Sequence, residues 1–227
     1  LTIKDKKVSS GEVTLFHRDD KMINARRNMV AKLEERGISG SVLNAMMNVP
    51  RHLFVSEALC YRAYDDTALP IGFGQTISTP SIVASMVQSL RLTGDESVLD
   101  IGSGSGYQSA VLAELAGTVT AMERIPELAR RSKEVLRYLG YNIDVINSED
   151  FNDVEGTFDR IIVAAGVKIF PEELLYKLKD GGILVIPIGC DDSHHEIRRI
   201  VKKKGNEFFE EIIGRARFVP YIVGGSL

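Results

Sequence analysis

Val98-Leu99-Asp100-Ile101-Gly102-Ser103-Gly104-Ser105-Gly106-Tyr107-Gln108 decides how the rest of this 227-residue chain is read. Residues 97–101 form a short apolar run of the length of a buried strand. Three glycines follow, and then a segment with helical spacing over residues 106–116. A glycine loop between a strand and a helix opens the backbone to a ligand at the strand's carboxyl end. It lacks the G-x-G-x-x-G spacing of a dinucleotide site, because the third glycine comes one residue early and Tyr107 follows it. It also lacks the Lys-Ser/Thr ending of a phosphate-binding loop. The residues therefore favour a nucleoside without a diphosphate, with Gly102, Ser103, Gly104, Ser105 and Gly106 as its cradle.

Outward from the loop, strand and helix patterns alternate. TVTAME (118–123), IDVIN (143–147), FDRIIVAA (158–165) and GILVIPIG (182–189) read as strands. Helices are expected from Pro126 to about residue 140, and from Pro171 to a stop at Gly181-Gly182. The alternation predicts an α/β fold with a mostly parallel sheet and helices on both faces. The two segments around Lys204-Gly205-Asn206 predict an antiparallel C-terminal hairpin at the sheet edge, with Lys202-Lys203-Lys204 as a solvated tip. Upstream, helices are expected over residues 22–36, over 42–49 with Ser41 as cap, and from Thr79-Pro80 onward. We expect residues 1–20 to be an extension and 21–227 a single domain, divided into a helical, substrate-side part (21–80) and a ligand-binding core (81–227).

Glu123 closes the strand after the glycine loop, 21 residues beyond Gly102. A carboxylate there can accept hydrogen bonds from both hydroxyls of a ribose; a charge at the next helix's N-terminus is its simpler role. Ser148-Glu149-Asp150 ends the following strand, where it can meet an adenine amino group or form a solvated turn. G-x-G-x-G with this acidic residue is the usual signature of S-adenosylmethionine-dependent methyltransferases, which places S-adenosyl-L-methionine as the cofactor.

Composition excludes several alternatives. With 44% hydrophobic and 26% charged residues and a net charge of −3, nothing points to nucleic acid or an anionic membrane as partner. Cys60 and Cys190 stand alone without metal-ligand spacing, which fits a reduced, cytoplasmic setting. No signal pattern and no apolar run of about 20 residues is present. His194-His195, adjacent on a strand, point to opposite faces and so suit a surface pair rather than a shared metal; no metal is expected. His52 is expected to pack or pair locally. A monomer is the default, since no helix face is unusually apolar.

Leu69-Pro70-Ile71-Gly72-Phe73-Gly74-Gln75-Thr76-Ile77-Ser78, preceded by Tyr64-Asp65-Asp66-Thr67-Ala68, has no acid, base or metal ligand in its last ten residues. It closely resembles the pre-core segment of the protein-L-isoaspartate (D-aspartate) O-methyltransferases. VPRHLFV (49–55), DIGSGSGYQ (100–108), ERI (123–125), FDRIIVAAG (158–166), GGILVIPIG (181–189) and RFVP (217–220) extend the resemblance over roughly residues 25–225. It implies methylation of the free α-carboxylate of isoaspartyl residues in damaged proteins, followed by spontaneous collapse to a succinimide. It also implies Ser78 as the catalytic hydroxyl, with Leu69, Pro70, Ile71, Gln75, Thr76 and Ile77 binding the substrate. Asp100 is a second catalytic candidate, with cofactor positioning or structural hydrogen bonding as its other reading. The family's Gly-Asp-Gly-aromatic segment is here Ser148-Glu149-Asp150-Phe151. Glu149 takes the aspartate's place if the aromatic fixes the register, whereas Asp150 has the matching chemistry. A methyltransferase for another acceptor and a cofactor-binding module without catalysis are the rival readings.

Overall fold

The computed structural model describes residues 10–189, 194–204 and 207–221. The first helix, α1, runs Ser10–Glu35, twelve residues further upstream than the expected start at 22. The expected extension over 1–20 therefore ends in helix, and its first nine residues lie outside the described ones. Helix α2 (Gly40–Asn48) begins after Ser39, so Ser41 lies inside the helix rather than capping it. The neutral stretch forms an antiparallel hairpin of β1 (Leu69–Gly72) and β2 (Gln75–Ile77). Helix α3 (Pro80–Ser89) starts as expected, with Thr79 Oγ1 accepting from Ile82 N at 3.3 Å.

The core then alternates: β3 (Ser97–Ile101), α4 (Tyr107–Ala113), β4 (Thr118–Glu123), α5 (Pro126–Tyr138), β5 (Asp144–Asn147), β6 (Phe158–Val163), α6 (Leu174–Lys177), β7 (Leu178–Ile188), β8 (His195–Lys202) and β9 (Phe208–Ala216). The sheet order is β5-β4-β3-β6-β7-β8-β9, parallel from β5 to β7 and antiparallel through β8 and β9. The chain turns to one side of β3 for β4 and to the other for β6. This reversal opens a crevice at the strand ends, the usual ligand position in such sheets.

The two faces are covered unequally. Val98, Ala121 and Val185 pack under α2 to α5, whereas Leu99, Ile101 and Ile161 pack under Phe151, Val154 and Leu174. The second face thus carries only short helical turns. The helix expected from Pro171 shrinks to the single turn of α6, and Gly181-Gly182 lies inside β7 rather than stopping a helix. A register shift between Phe158 and Arg160 lets β7 begin early, with Gly181 at φ +77°. At the hairpin tip, Lys202 is not solvated as expected: its Nζ donates to the carbonyls of Leu175 (2.8 Å) and Leu178 (2.7 Å). The turn residues 205–206 lie outside the described ones. Among the described residues no helix is long and apolar enough to cross a membrane.

Candidate active site

The glycine loop sits at the crevice. The Gly102 and Ser103 N–H groups donate to Met122 O at 2.8 and 3.1 Å, which ties the loop to the end of β4. Gly104 and Gly106 take φ +55° and +85°, the left-handed region. A Cβ at Gly106 would also stand 3.0 Å from Ser132 Cβ, so α5 packs against the loop only because that residue is glycine. Glu123 is 5% exposed and works from the end of β4. Its Oε2 accepts from Gly104 N and its Oε1 from Ile125 N, both at 2.9 Å. It therefore does what its simpler reading requires at the start of α5, while also lining the cavity.

That cavity, open on one side to solvent, is lined by Ile71, Gln75, Thr76, Ile77, Ser78, Val83, Gly102 to Ser105, Tyr107, Gln108, Met122 to Arg124, Glu149, Ala164, Ala165 and Val219 to Tyr221. The hairpin roofs it: Ile71 Cδ1 lies 3.2 Å from where a Gly104 Cβ would stand, and Phe73 at the tip lies under the Arg131 guanidinium at 5.7 Å. A second hollow adjoins it, lined by Ala68, Thr76, Ser78, Thr79, Ile82, Ala164 and Ala216 to Val219. Thr76, Ser78, Ala164 and Val219 border both. No ionisable side chain stands on that shared wall. Among the described residues no hydrogen bond involves the Ser78 hydroxyl, whereas the Ser78 carbonyl is held by Arg51 Nη2 at 2.6 Å.

The sequence-predicted residues divide accordingly. Gly102, Ser103, Gly104, Ser105, Glu123 and Glu149 line the first cavity, and Gly106 supports it from behind. Asp150 does not line it; its Oδ1 caps the next turn, accepting from Asn152 N at 2.8 Å. Of the hairpin residues, Ile71, Gln75, Thr76 and Ile77 reach the cavity. Leu69 is buried beneath the hairpin, and Pro70 faces solvent on the other side of the strand. Strand alternation explains that split. His52 pairs locally as expected, with Nδ1 2.8 Å from Tyr64 Oη. The pair His194-His195 is not a surface pair: His194 is exposed, but His195 is 2% exposed and packs edge-on against Phe218.

Asp100 makes the structural hydrogen bonds of its other reading. It is wholly buried and absent from both cavity walls, with Oδ1 accepting from Gln108 Nε2 at 2.8 Å and Oδ2 from Ser109 Oγ at 2.6 Å. It anchors the first turn of α4 to β3 and has no surface left to meet a substrate. Burial raises its pKa from 3.8 to about 6, against the pull of those two hydrogen bonds. The folded protein thus holds this proton more tightly than the unfolded chain does. The associated stability is fully present below about pH 4 and is lost as pH rises through about 6. Urea unfolding at pH 5 and pH 7 is expected to show a loss on the order of 1–2 kcal/mol at the higher pH. Asp100→Asn should flatten that difference; an unchanged one would mean that another group is responsible.

Sequence reasoning missed Arg51, Gln108, Met122, Arg124, Ala164, Ala165 and Val219 to Tyr221. Ala164 and Ala165 were open to inference, since they follow a strand that ends in the same crevice. Val219 and Pro220 carry no chemical signature.

The donor set fits a nucleoside with an amino-acid tail. Glu123 keeps lone pairs toward the cavity, and Ser103 Oγ is buried there with no hydrogen-bond partner, a cost that a bound polar ligand removes. A doubly wound sheet bearing such a cradle defines an S-adenosylmethionine-dependent methyltransferase. Residues 24–225 match the family description Protein-L-isoaspartate(D-aspartate) O-methyltransferase (PCMT), and the chain belongs to that family. A protein-L-isoaspartate O-methyltransferase of Dictyoglomus thermophilum is 48% identical over 203 residues, covering 86% of this chain and 90% of the relative. One from Photorhabdus laumondii is 44% identical, covering 88% and 97%. Among solved structures, a Plasmodium falciparum PCMT in complex with S-adenosyl-L-homocysteine matches with a TM-score of 0.75 at 27% identity, over 88% of this chain and 99% of that one. A further protein-L-isoaspartate O-methyltransferase gives 0.76 at 26% identity, over 88% and 66%.

Proposed function

We propose that this enzyme methylates the free α-carboxylate of L-isoaspartyl residues in damaged proteins and peptides, and so starts their repair through a succinimide. The observation that carries the reading is the free Ser78 hydroxyl on a shared wall without acid or base. S-adenosyl-L-methionine, when bound, supplies a methyl on a sulfonium whose departure leaves a neutral thioether. The acceptor carboxylate is already ionised at pH 7, with an ordinary pKa near ~4. Neither a general base nor a general acid is needed, and alignment is what remains for the protein to provide.

In this reading Ser78 donates one hydrogen bond to one carboxylate oxygen and leaves the other free to attack. A lysine there would hold the carboxylate and quench it. Ile71, Gln75, Thr76 and Ile77 position the substrate. Gly102 to Ser105 and Glu123 hold the cofactor, and Glu149 rather than Asp150 faces its adenine. Residues 21–80 form the substrate-side part of one domain. The substrates are isoaspartyl proteins and peptides. The net charge of −3 argues against nucleic acid. We also propose a monomer in a reducing, cytoplasmic setting.

The test uses labelled S-adenosylmethionine and two matched peptides, one isoaspartyl and one aspartyl. Label on the isoaspartyl peptide alone, released as methanol in mild base, is expected. Label on neither peptide, with cofactor binding intact, would overturn the reading in favour of another acceptor or a non-catalytic module. Hydrogen bonds to charged groups contribute about 1.5–3 kcal/mol, so Ser78→Ala should lower kcat roughly 10- to 100-fold. Unchanged turnover would remove Ser78 from the mechanism.

A further inference from the structure

Arg51 is fully buried in a single 3-10 turn, Arg51–Phe54, and heads the fully buried side chains in volume. No carboxylate among the described residues pairs with it, and burial pulls its pKa below the usual guanidinium value. A buried cation with no carboxylate in contact, only the charge of Asp66 acting from a distance, is costly, and an aliphatic side chain would fill the space at less cost. Its donors therefore carry its purpose. Nε donates to Ala63 O at 2.8 Å and Nη2 to Ser78 O at 2.6 Å. The guanidinium also lies on the Tyr107 ring, 4.7 Å from its centroid.

These contacts join three parts of the site. Ser78 falls between the end of β2 and the start of α3, so neither ladder nor helix holds its carbonyl. Tyr107 is the first residue of α4, directly after the glycine loop. We infer that Arg51 is a positioning residue for methyl transfer: its guanidinium fixes the Ser78 main chain relative to the glycine loop and so aims the Ser78 hydroxyl at the acceptor carboxylate. The inference rests on the reading of Ser78 given above. Arg51 grips the carbonyl and stays clear of the hydroxyl, so it orients that hydroxyl without itself binding and quenching the acceptor.

A double-mutant cycle tests this. Lysine cannot bridge two carbonyls in a rigid fork while stacking on a ring. Arg51→Lys is expected to lower kcat about 10- to 100-fold, the scale of an ångström-sized misplacement. The thermal midpoint and the Kd for S-adenosylhomocysteine should remain near wild type. In the Ser78→Ala background, which has no hydroxyl to aim, the same change should cost less than about twofold, because effects within one unit are not additive. If Ser78→Ala is impaired and Arg51→Lys adds its full effect on top, this inference fails while the Ser78 reading stands. If Ser78→Ala turns over normally, both fail. Arg51→Gln, which keeps a single NH₂ group in place of the three-nitrogen fork and carries no charge, gives the same cycle should the lysine variant not fold. Loss of cofactor affinity in parallel with kcat would also overturn the inference, by marking Arg51 as general packing.

Discussion

Glu123→Ala should weaken S-adenosylhomocysteine binding by about 100-fold or more, through two losses that add. The carboxylate holds Gly104 N and Ile125 N at 2.9 Å, and without it both part-buried N–H groups lose that acceptor. A buried donor left unpaired costs about 1–3 kcal/mol, and these part-buried ones fall at the lower end of that range. The loop that cradles the ligand then loses one of its three tethers to β4, and the ribose loses its charged acceptor. Glu123→Gln separates these effects. It keeps one carbonyl oxygen for an N–H but turns an NH₂ toward the other donor, so its affinity should fall between those of wild type and the alanine variant. Titration calorimetry with S-adenosylhomocysteine reads both. An alanine variant with wild-type affinity would remove Glu123 from the cofactor site and leave it only its role at the start of α5.

Glu123 was legible because three signals converge on it: the strand end, the distance from the glycine loop and the residue type. The alternation from β3 to β7 was legible for the same reason, since buried parallel strands are continuous apolar runs and the intervening helices have caps and prolines. What escaped were elements whose local chemistry points elsewhere. Leu69–Gly72 and Gln75–Ile77 are too short, and too rich in glycine and proline, to declare themselves strands. Gly181-Gly182 reads as a helix stop, yet the shifted pairing of β6 with β7 absorbs it as a bulge. Asp100 has a catalytic residue type at a catalytic height on its strand, but side chains alternate between faces, and its face is covered by Gln108 and Ser109. Arg51 is the opposite case. Nothing in VPRHLFV singles it out, and only the folded chain brings Ala63, Ser78 and Tyr107 around it. Local pattern reports on neighbours in sequence, and these partners are 12 and 27 residues away for the two hydrogen bonds.

Gly166→Ala tests a contact of that long-range kind. A Cβ at this position would stand 2.1 Å from His195 Nε2 and 2.5 Å from two ring carbons. The ring has nowhere to retreat, since His195 is 2% exposed and meets Phe218 edge-on with centroids 6.1 Å apart. Gly166 is also the hinge pin of the C-terminal segment. Its N–H donates to Val219 O, and its carbonyl accepts from Tyr221 N, both at 2.8 Å. Val219 and Tyr221 are cavity walls, so a displaced Gly166 carries part of the site with it. Overpacking of this kind costs about 1–3 kcal/mol, and the thermal midpoint should fall by roughly 5 °C or more. The KM for an isoaspartyl peptide should rise in step, because Val219 also borders the second hollow. Adding His195→Ala makes room for the new methyl. The double variant should therefore be more stable than the two single losses summed, with the coupling confined to this pair. A Gly166→Ala protein with an unchanged midpoint would mean that the His195 ring can leave its place, and that the C-terminal wall is not held through Gly166.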